Sequence, residues 1–164
     1  MSQTSPLHQY LDARLIAVNA DLSSRKKLLQ EMARLLSIPL KETSEECREK
    51  DVYHSLLERE KLGNTGIGNG VALPHSRYEP ADRAIIAIIT LNEAIDYDSI
   101  DRQPVDVAFG LLVPQEATQE HLQILAEIAR LMSQSENKQQ LSSAQSAEMV
   151  LDMILDWANK AQPS

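Results

Sequence analysis

Residues 84–91 form a run of eight residues in which only Thr90 is polar. An apolar run of this length is typical of a β-strand covered on both faces, because such a strand has no solvent-facing positions for polar side chains. Residues 105–111, in which apolar side chains alternate along the chain, predict a second strand. The centre of the chain therefore predicts a sheet with other elements packed against each side.

Helical patterns flank these strands. Ser23 or Ser24 can cap a first helix, whose apolar residues repeat at helical spacing until Pro39, where we expect the helix to end. Near the C-terminus, Thr118 and Ser146 precede further stretches with the same spacing and are expected to cap helices there. The order of the patterns predicts helices at both ends of the chain and strands between them.

The middle of the chain predicts a further helix and a short strand. Thr43 and Glu46 match the capping box of a helix that should run to Lys61, with Gly63 just past its end. Residues 71–73 are apolar and predict a short strand. Together the patterns predict an α/β fold in which a single mixed sheet is flanked by helices on both faces.

Length, charge and cysteine content exclude several classes of protein. The 164 residues suffice for one domain, whose core we place at about residues 12–160. The net charge of −8 argues against nucleic acid or an anionic membrane as the main partner. No apolar stretch is long enough to span a bilayer, and no signal-peptide pattern is present. Cys47 is the only cysteine, which excludes an internal disulfide and a cysteine-based zinc site. We expect a soluble cytoplasmic protein.

Four of the chain's five glycines lie between residues 63 and 70, and Pro74 and His75 follow. The spacing does not match a dinucleotide-binding loop, and the segment lacks the Gly-Lys-Ser/Thr ending of a P-loop. One interpretation is a simple turn that joins a helix to a strand. The functional alternative is an open surface of small residues, onto which another protein docks and whose N–H groups meet an anion.

His75 is the strongest candidate for chemistry. Pro74 restrains the backbone just before it, Arg77 lies two residues on, and we expect its side chain on an exposed loop at the end of a short strand. Neutral imidazole, with a pKa of about 6.5, is a good nucleophile near pH 7 and can take a phosphoryl group from an activated donor. A hydrogen bond from the other ring N–H to a backbone carbonyl would fix the required tautomer.

A second histidine and three cations are candidates to assist. His121 follows the start of a helix on its apolar side, and is either a half-buried packing residue or an anion-binding group. His121 meets His75 if the end of the strand at residues 71–73 lies near the end of the strand at residues 105–111. No acidic residue at ligand spacing joins either histidine, so we expect no metal. The cations Arg59, Lys61 and Arg77 are either solvated surface charges or countercharges for a phosphoryl group.

The segment TGIGNGVALPH, residues 65–75, resembles the phosphorylation-site signature of the fructose/mannitol-type enzyme IIA family of the bacterial phosphoenolpyruvate phosphotransferase system. Further segments follow in family order: LEREKLG at 57–63, IDRQPVD at 100–106, LLVP at 111–114 and HL at 121–122. Within the family, the run REKLGNTGIGNG at 59–70 is most similar to the nitrogen-regulatory branch. Ser76 departs from the pattern, where a glycine or another small residue is common.

The resemblance implies a mixed sheet flanked by helices, no organic cofactor, and a phosphoryl group accepted on His75 from the phosphohistidine of an HPr-type carrier. It implies that His121 binds the phosphoryl oxygens, and it adds Thr65, the first residue of the signature, to the site. We also expect Arg59 to stabilise the phosphoryl group, because a charge-assisted hydrogen bond contributes about 1.5–3 kcal/mol.

Three functions follow as hypotheses. The first is a phosphotransferase component that acts mainly as a regulator, whose phosphorylation state controls partner proteins; by family resemblance these are potassium-transport or sensor-kinase proteins. The absence of an attached IIB module or membrane segment favours it. The second is a sugar-specific fructose or mannitol enzyme IIA that passes phosphate to a separate IIB protein. The third, from another class, is a histidine-based metal or nucleotide enzyme.

Overall fold

A computed structural model of the chain describes residues 7–43, 48–116 and 118–160. The strands are β1 (Ile16–Ala20), β2 (Gly66–Gly68), β3 (Val71–Ala72), β4 (His75–Arg77), β5 (Ile85–Ile95) and β6 (Val105–Val113). The helices are α1 (Arg25–Thr43), α2 (Glu49–Leu62), α3 (Thr118–Met132), α4 (Ser135–Ser142) and α5 (Ala147–Lys160). None of these helices combines the length and the apolar character that crossing a membrane requires.

The strands form one mixed sheet, as predicted. Its order is β1-β5-β6-β3-β2, and β4 also pairs with β6. The β5–β6 and β2–β3 pairs are antiparallel, whereas β1 is parallel to β5, and β3 and β4 are both parallel to β6. Since β5 occupies the other edge of β6, β3 and β4 follow one another along a single edge of that strand.

Strand β5 is covered on both faces, which confirms the prediction from its apolar run. Alternate side chains of the strand enter two separate hydrophobic clusters. On one face, Ile85, Ala87 and Ile89 pack with residues of α1 and α2, among them Leu28, Met32, Leu36, Val52 and Leu56. On the other face, Ile86 and Ile88 pack with residues of α3 and α5, among them Ile124, Ile128, Val150 and Ile154.

Helix α1 continues past Pro39, so the prediction that it ends there was wrong. A proline inside a helix costs about 3 kcal/mol, because it removes one hydrogen bond and crowds the preceding turn. Leu36 and Leu40 lie one turn apart on either side of the defect, and both are buried in the same cluster. Burying a leucine contributes about 1.5–3 kcal/mol, which offsets the defect. The N-terminal cap is Ser24, whose Oγ accepts a hydrogen bond from Lys27 N at 3.1 Å.

The capping box predicted for the second helix was also wrong. Thr43 is the last residue of α1, and its hydroxyl donates to the Leu40 carbonyl at 3.4 Å. Helix α2 begins only at Glu49, with Arg48 at the cap position; Glu46, the other half of the box, lies outside the described residues. The end of the helix agrees with the prediction, because Gly63 follows Leu62 directly.

The glycine-rich segment forms a small hairpin. Strands β2 and β3 pair antiparallel, and Asn69 and Gly70 join them with φ of 60° and 80°. A two-residue hairpin turn with positive φ at both central positions is the geometry that Asn-Gly favours. Gly66 is required for a different reason, since a Cβ there would overlap Ser99 Oγ.

Gly110 of β6 lies directly against α1, because a Cβ there would overlap Sδ and Cγ of the fully buried Met32. We predict that Gly110→Ala lowers the free energy of unfolding by about 1–3 kcal/mol through overpacking. Gly63→Ala is the matched control, since its backbone is extended and its Cβ would meet only Arg59 Nη1 at 4.0 Å. Urea unfolding of the two variants checks the prediction, and equal stability of the two would contradict it.

Candidate functional site

A cleft of about 630 Å³ lies between the C-terminal half of α2, strand β4 and the first turn of α3. Two histidines and two arginines line it: His75, His121, Arg59 and Arg77. Each element supplies at least one of these side chains, so the cleft exists only in the folded chain. Residues far apart in sequence, predicted separately, are thus brought to one place.

His75 lies on strand β4 and is partly buried, so the prediction of an exposed loop was wrong. The strand forms because His75 pairs with Leu111 of β6, and the carbonyl just before it, that of Pro74, accepts from Leu111 N at 3.0 Å. His75 Nδ1 lies 2.6 Å from the carbonyl oxygen of Leu73. Since a carbonyl oxygen can only accept, Nδ1 carries the proton. The lone pair is therefore on Nε2.

His121 lies next to His75. Its ring is edge-on to that of His75, with the centroids 5.1 Å apart and the planes at 88°. The side chain is buried, and within the described ranges its Nδ1 has no hydrogen-bond partner. Nor does this part of the chain place three histidine, cysteine or acidic side chains where they could share a metal ion.

Both rings are held in the neutral form near pH 7. Burial lowers the pKa of His75, and the positive charge of Arg59 lowers it further, whereas the Leu73 carbonyl and the Glu60 charge oppose these effects. Burial lowers the pKa of His121 to about 4, with smaller effects of the same sign from His75 and the two arginines. Neutral imidazole is the form that can attack phosphorus.

Two of the three predicted cations face the cleft. Arg59 is partly buried, and its Nη1 donates to the Gly63 carbonyl at 2.9 Å, which fixes the guanidinium at the end of α2. Arg77 is exposed at the end of β4. Lys61 does not line the cleft and forms an ion pair with Glu58 at 3.0 Å.

Thr65 does not line the cleft. It is buried, and its hydroxyl donates to a carboxylate oxygen of Glu60 and lies 3.0 Å from the hydroxyl of Tyr97. Its carbonyl accepts a hydrogen bond from Leu73 N at 2.9 Å. Thr65 therefore contacts the residue that orients His75, and not the cleft itself.

Two serines of the cleft were not predicted as site residues. The hydroxyls of Ser55 of α2 and Ser76 of β4 contact each other, and both lie within hydrogen-bond distance of the Arg77 carbonyl. Since each hydroxyl carries one proton, only two of these three hydrogen bonds form at a time. Ser55 precedes Arg59 by four residues, so the two lie on the same side of the helix. That spacing, together with the unusual serine next to His75, was the available signal.

Comparison with known proteins identifies the family. Residues 9–157 match the model of the family described as phosphoenolpyruvate-dependent sugar phosphotransferase system, EIIA 2. The chain belongs to this family.

The similar proteins include nitrogen regulatory proteins. One from Pseudomonas aeruginosa is 37% identical over 153 residues, which cover 93% of this chain and 97% of that protein. The crystal structure of nitrogen regulatory protein IIA-Ntr from Neisseria meningitidis is 37% identical, with a TM-score of 0.84 over 92% of this chain and 99% of that one. The crystal structure of IIA mannitol from Escherichia coli shares the fold at 18% identity, with a TM-score of 0.71 over 88% and 98% of the two chains.

We predict that His121 makes the stability of the protein depend on pH. Its pKa of about 4 in the folded chain lies below the value of about 6.5 for an exposed histidine, so the unfolded chain binds more protons between these values. The contribution of His121 to the free energy of unfolding is fully present above about pH 6.5 and is lost as the pH falls toward about 4. Urea unfolding across this range should show that the free energy of unfolding falls more for wild type than for His121→Gln as the pH is lowered. Parallel curves would contradict the prediction.

Proposed function

We propose that this chain is a phosphohistidine relay of the phosphotransferase system, which accepts a phosphoryl group on His75 Nε2 from an HPr-type carrier. The observation that carries the proposal is the hydrogen bond from His75 Nδ1 to the Leu73 carbonyl, which leaves Nε2 as the nucleophile. Membership of the EIIA 2 family and the nitrogen regulatory relatives support a regulatory protein of this system.

The transfer step is a displacement at phosphorus. The lone pair of His75 Nε2 forms the new P–N bond as the bond from phosphorus to the carrier's protonated imidazole breaks, and the carrier ring leaves as neutral imidazole. The proton on His75 Nδ1 stays in place, so the positive charge of the carrier ring appears on the ring of His75. The Leu73 carbonyl, 2.6 Å away, stabilises that charge and disfavours loss of the proton.

The cleft is suited to hold the phosphoryl group without trapping it. The group brings a charge of about −1.5 to −2, which Arg59 and Arg77 offset from the two sides of the cleft. His121 is neutral and contributes a ring N–H rather than a third positive charge. Because Arg77 is exposed and its attraction is screened by water, the phosphoryl group can still be passed on.

The output that we propose is control of partner proteins by the state of His75, in the nitrogen-regulatory branch of the system. The identity to nitrogen regulatory proteins over almost the whole chain favours this output. The alternative is transfer to a separate sugar-specific IIB protein. It is favoured by the family description, which names the sugar system, and by the fold shared with IIA mannitol.

We predict that His75→Ala takes no phosphate from phosphoenolpyruvate, enzyme I and an HPr-type carrier, because it lacks the acceptor nitrogen. Intact mass should show an acid-labile phosphate on wild type and none on the variant. His54→Ala, which removes an exposed histidine from α2, is the control and should be labelled like wild type. Labelling of His75→Ala would show that another residue is the acceptor.

We predict that His121→Ala still accepts phosphate but transfers or holds it poorly, because His75 Nε2 remains while a neighbouring donor is lost. The measurement is the rate of labelling and of discharge back to the unphosphorylated carrier, followed by intact mass. Wild-type rates in both directions would reduce His121 to a packing residue.

We predict that the phosphorylated and unmodified chains bind different proteins from a cell extract, because phosphorylation adds a charge of about −1.5 to −2 to a cleft lined by two arginines. A pull-down with wild type in both states, and with His75→Ala as the unphosphorylatable control, tests this. Equal binding by both states, combined with rapid discharge to a fructose or mannitol IIB protein, would favour the sugar-specific alternative.

A further inference from the structure

Glu60 is a buried carboxylate that the transfer step does not use. It lies in the last turn of α2 and is only 8% exposed. Three donors converge on its two oxygens: the hydroxyl of Tyr97 at 2.7 Å, the hydroxyl of Thr65, and Thr65 N at 3.2 Å. An ionised carboxylate can only accept hydrogen bonds, and this set of donors matches it. Among the described residues no cation forms an ion pair with Glu60, so its charge is not locally neutralised.

A continuous set of hydrogen bonds leads from Glu60 to His75. Glu60 accepts from Thr65 N, the Thr65 carbonyl accepts from Leu73 N at 2.9 Å, and the Leu73 carbonyl accepts from His75 Nδ1 at 2.6 Å. In each of these hydrogen bonds the donor lies on the His75 side of its acceptor. Because the links at Thr65 and Leu73 run through the backbone of each residue, the series fixes the segment whose carbonyl accepts from His75.

We propose that Glu60 is a positioning residue for His75. Glu60 acts through Thr65 and Leu73 to orient the imidazole and to stabilise the positive charge that the ring acquires with the phosphoryl group. The inference rests on the proposed function of His75. It also assigns a role to Thr65, which reaches the histidine only through the backbone of Leu73.

The electrostatics agree with the geometry. The charge of Glu60 raises the pKa of His75, in opposition to burial and to Arg59. Without that charge, the phosphorylated ring would lose its Nδ1 proton more readily. The deprotonated ring is a poorer leaving group, so the phosphoryl group would be passed on more slowly.

The competing explanation is that Glu60 only holds the end of α2 in place. Two variants separate these roles. Glu60→Gln removes the charge and also one acceptor for the three donors. Tyr97→Phe removes one of the three hydrogen bonds but keeps the carboxylate, so it is the matched control for lost stability.

The experiment combines an NMR titration of His75 in the unphosphorylated full chain with the rate of discharge of the phosphorylated chain to an HPr-type carrier. We expect Glu60→Gln to lower the pKa of His75 and to slow discharge by about fivefold, the scale expected of a partly screened charge. We expect Tyr97→Phe to be less stable to urea while its His75 titration and discharge stay close to wild type.

The proposal is overturned if Glu60→Gln leaves both the titration and the discharge rate unchanged, or if Tyr97→Phe alters both as strongly. Should Glu60→Gln fail to fold, Glu60→Asp decides, because its carboxylate is drawn back by one methylene. It should lower the pKa of His75 by a smaller amount, and no change would count against the proposal. A wild-type chain that takes no phosphate would refute the proposed function, while the titration would still show whether Glu60 and His75 are coupled.

Discussion

The parallel pairing of β4 with β6 is the constraint on which the site depends. It puts His75 beside Leu111, and the chain leaves β6 after Val113 to begin α3 five residues later. The first turn of α3, and with it His121, is therefore held close to His75. The same edge of β6 also holds the residue before His75, since Leu111 N donates to the Pro74 carbonyl, and the Leu73 carbonyl lies 2.6 Å from His75 Nδ1.

The site balances opposing charges rather than concentrating one sign. Arg59 and Arg77 favour an anion in the cleft and oppose protonation of the histidines, whereas the Leu73 carbonyl and Glu60 favour a proton on His75. In the proposed relay, this balance gives an unphosphorylated ring that is neutral near pH 7 and a phosphorylated ring that keeps its Nδ1 proton. A relay needs both, because the first makes a nucleophile and the second makes a leaving group.

The sheet was predictable because the apolar run of β5 is a local signal, and His75 was singled out because it is proline-restrained and follows a glycine-rich segment. His121 had no comparable local signal, and its place beside His75 depends on the fold. The end of α1 was not predictable, since Pro39 opposes a helix locally and only the burial of Leu40 in the tertiary core overrides it. The role of Leu73 was also hidden, because a backbone carbonyl carries no sequence signal. Nothing in the sequence distinguished Glu60 from the other charged residues of α2, because its burial arises only in the folded chain.

The serine next to His75 shows how a departure from a family pattern acquires a physical meaning. A glycine at position 76 would remove the β4 hydroxyl that Ser55 contacts and leave the Arg77 carbonyl as its partner on that strand. With serine there, the two hydroxyls and the Arg77 carbonyl form a polar contact that joins α2 and β4 one helical turn before Arg59. The elements that carry Arg59 and His75 are thus held together by a polar contact as well as by the apolar core beneath them. Under the proposed function, a pair of side chains that carry no charge thus helps to position Arg59 for the phosphoryl group.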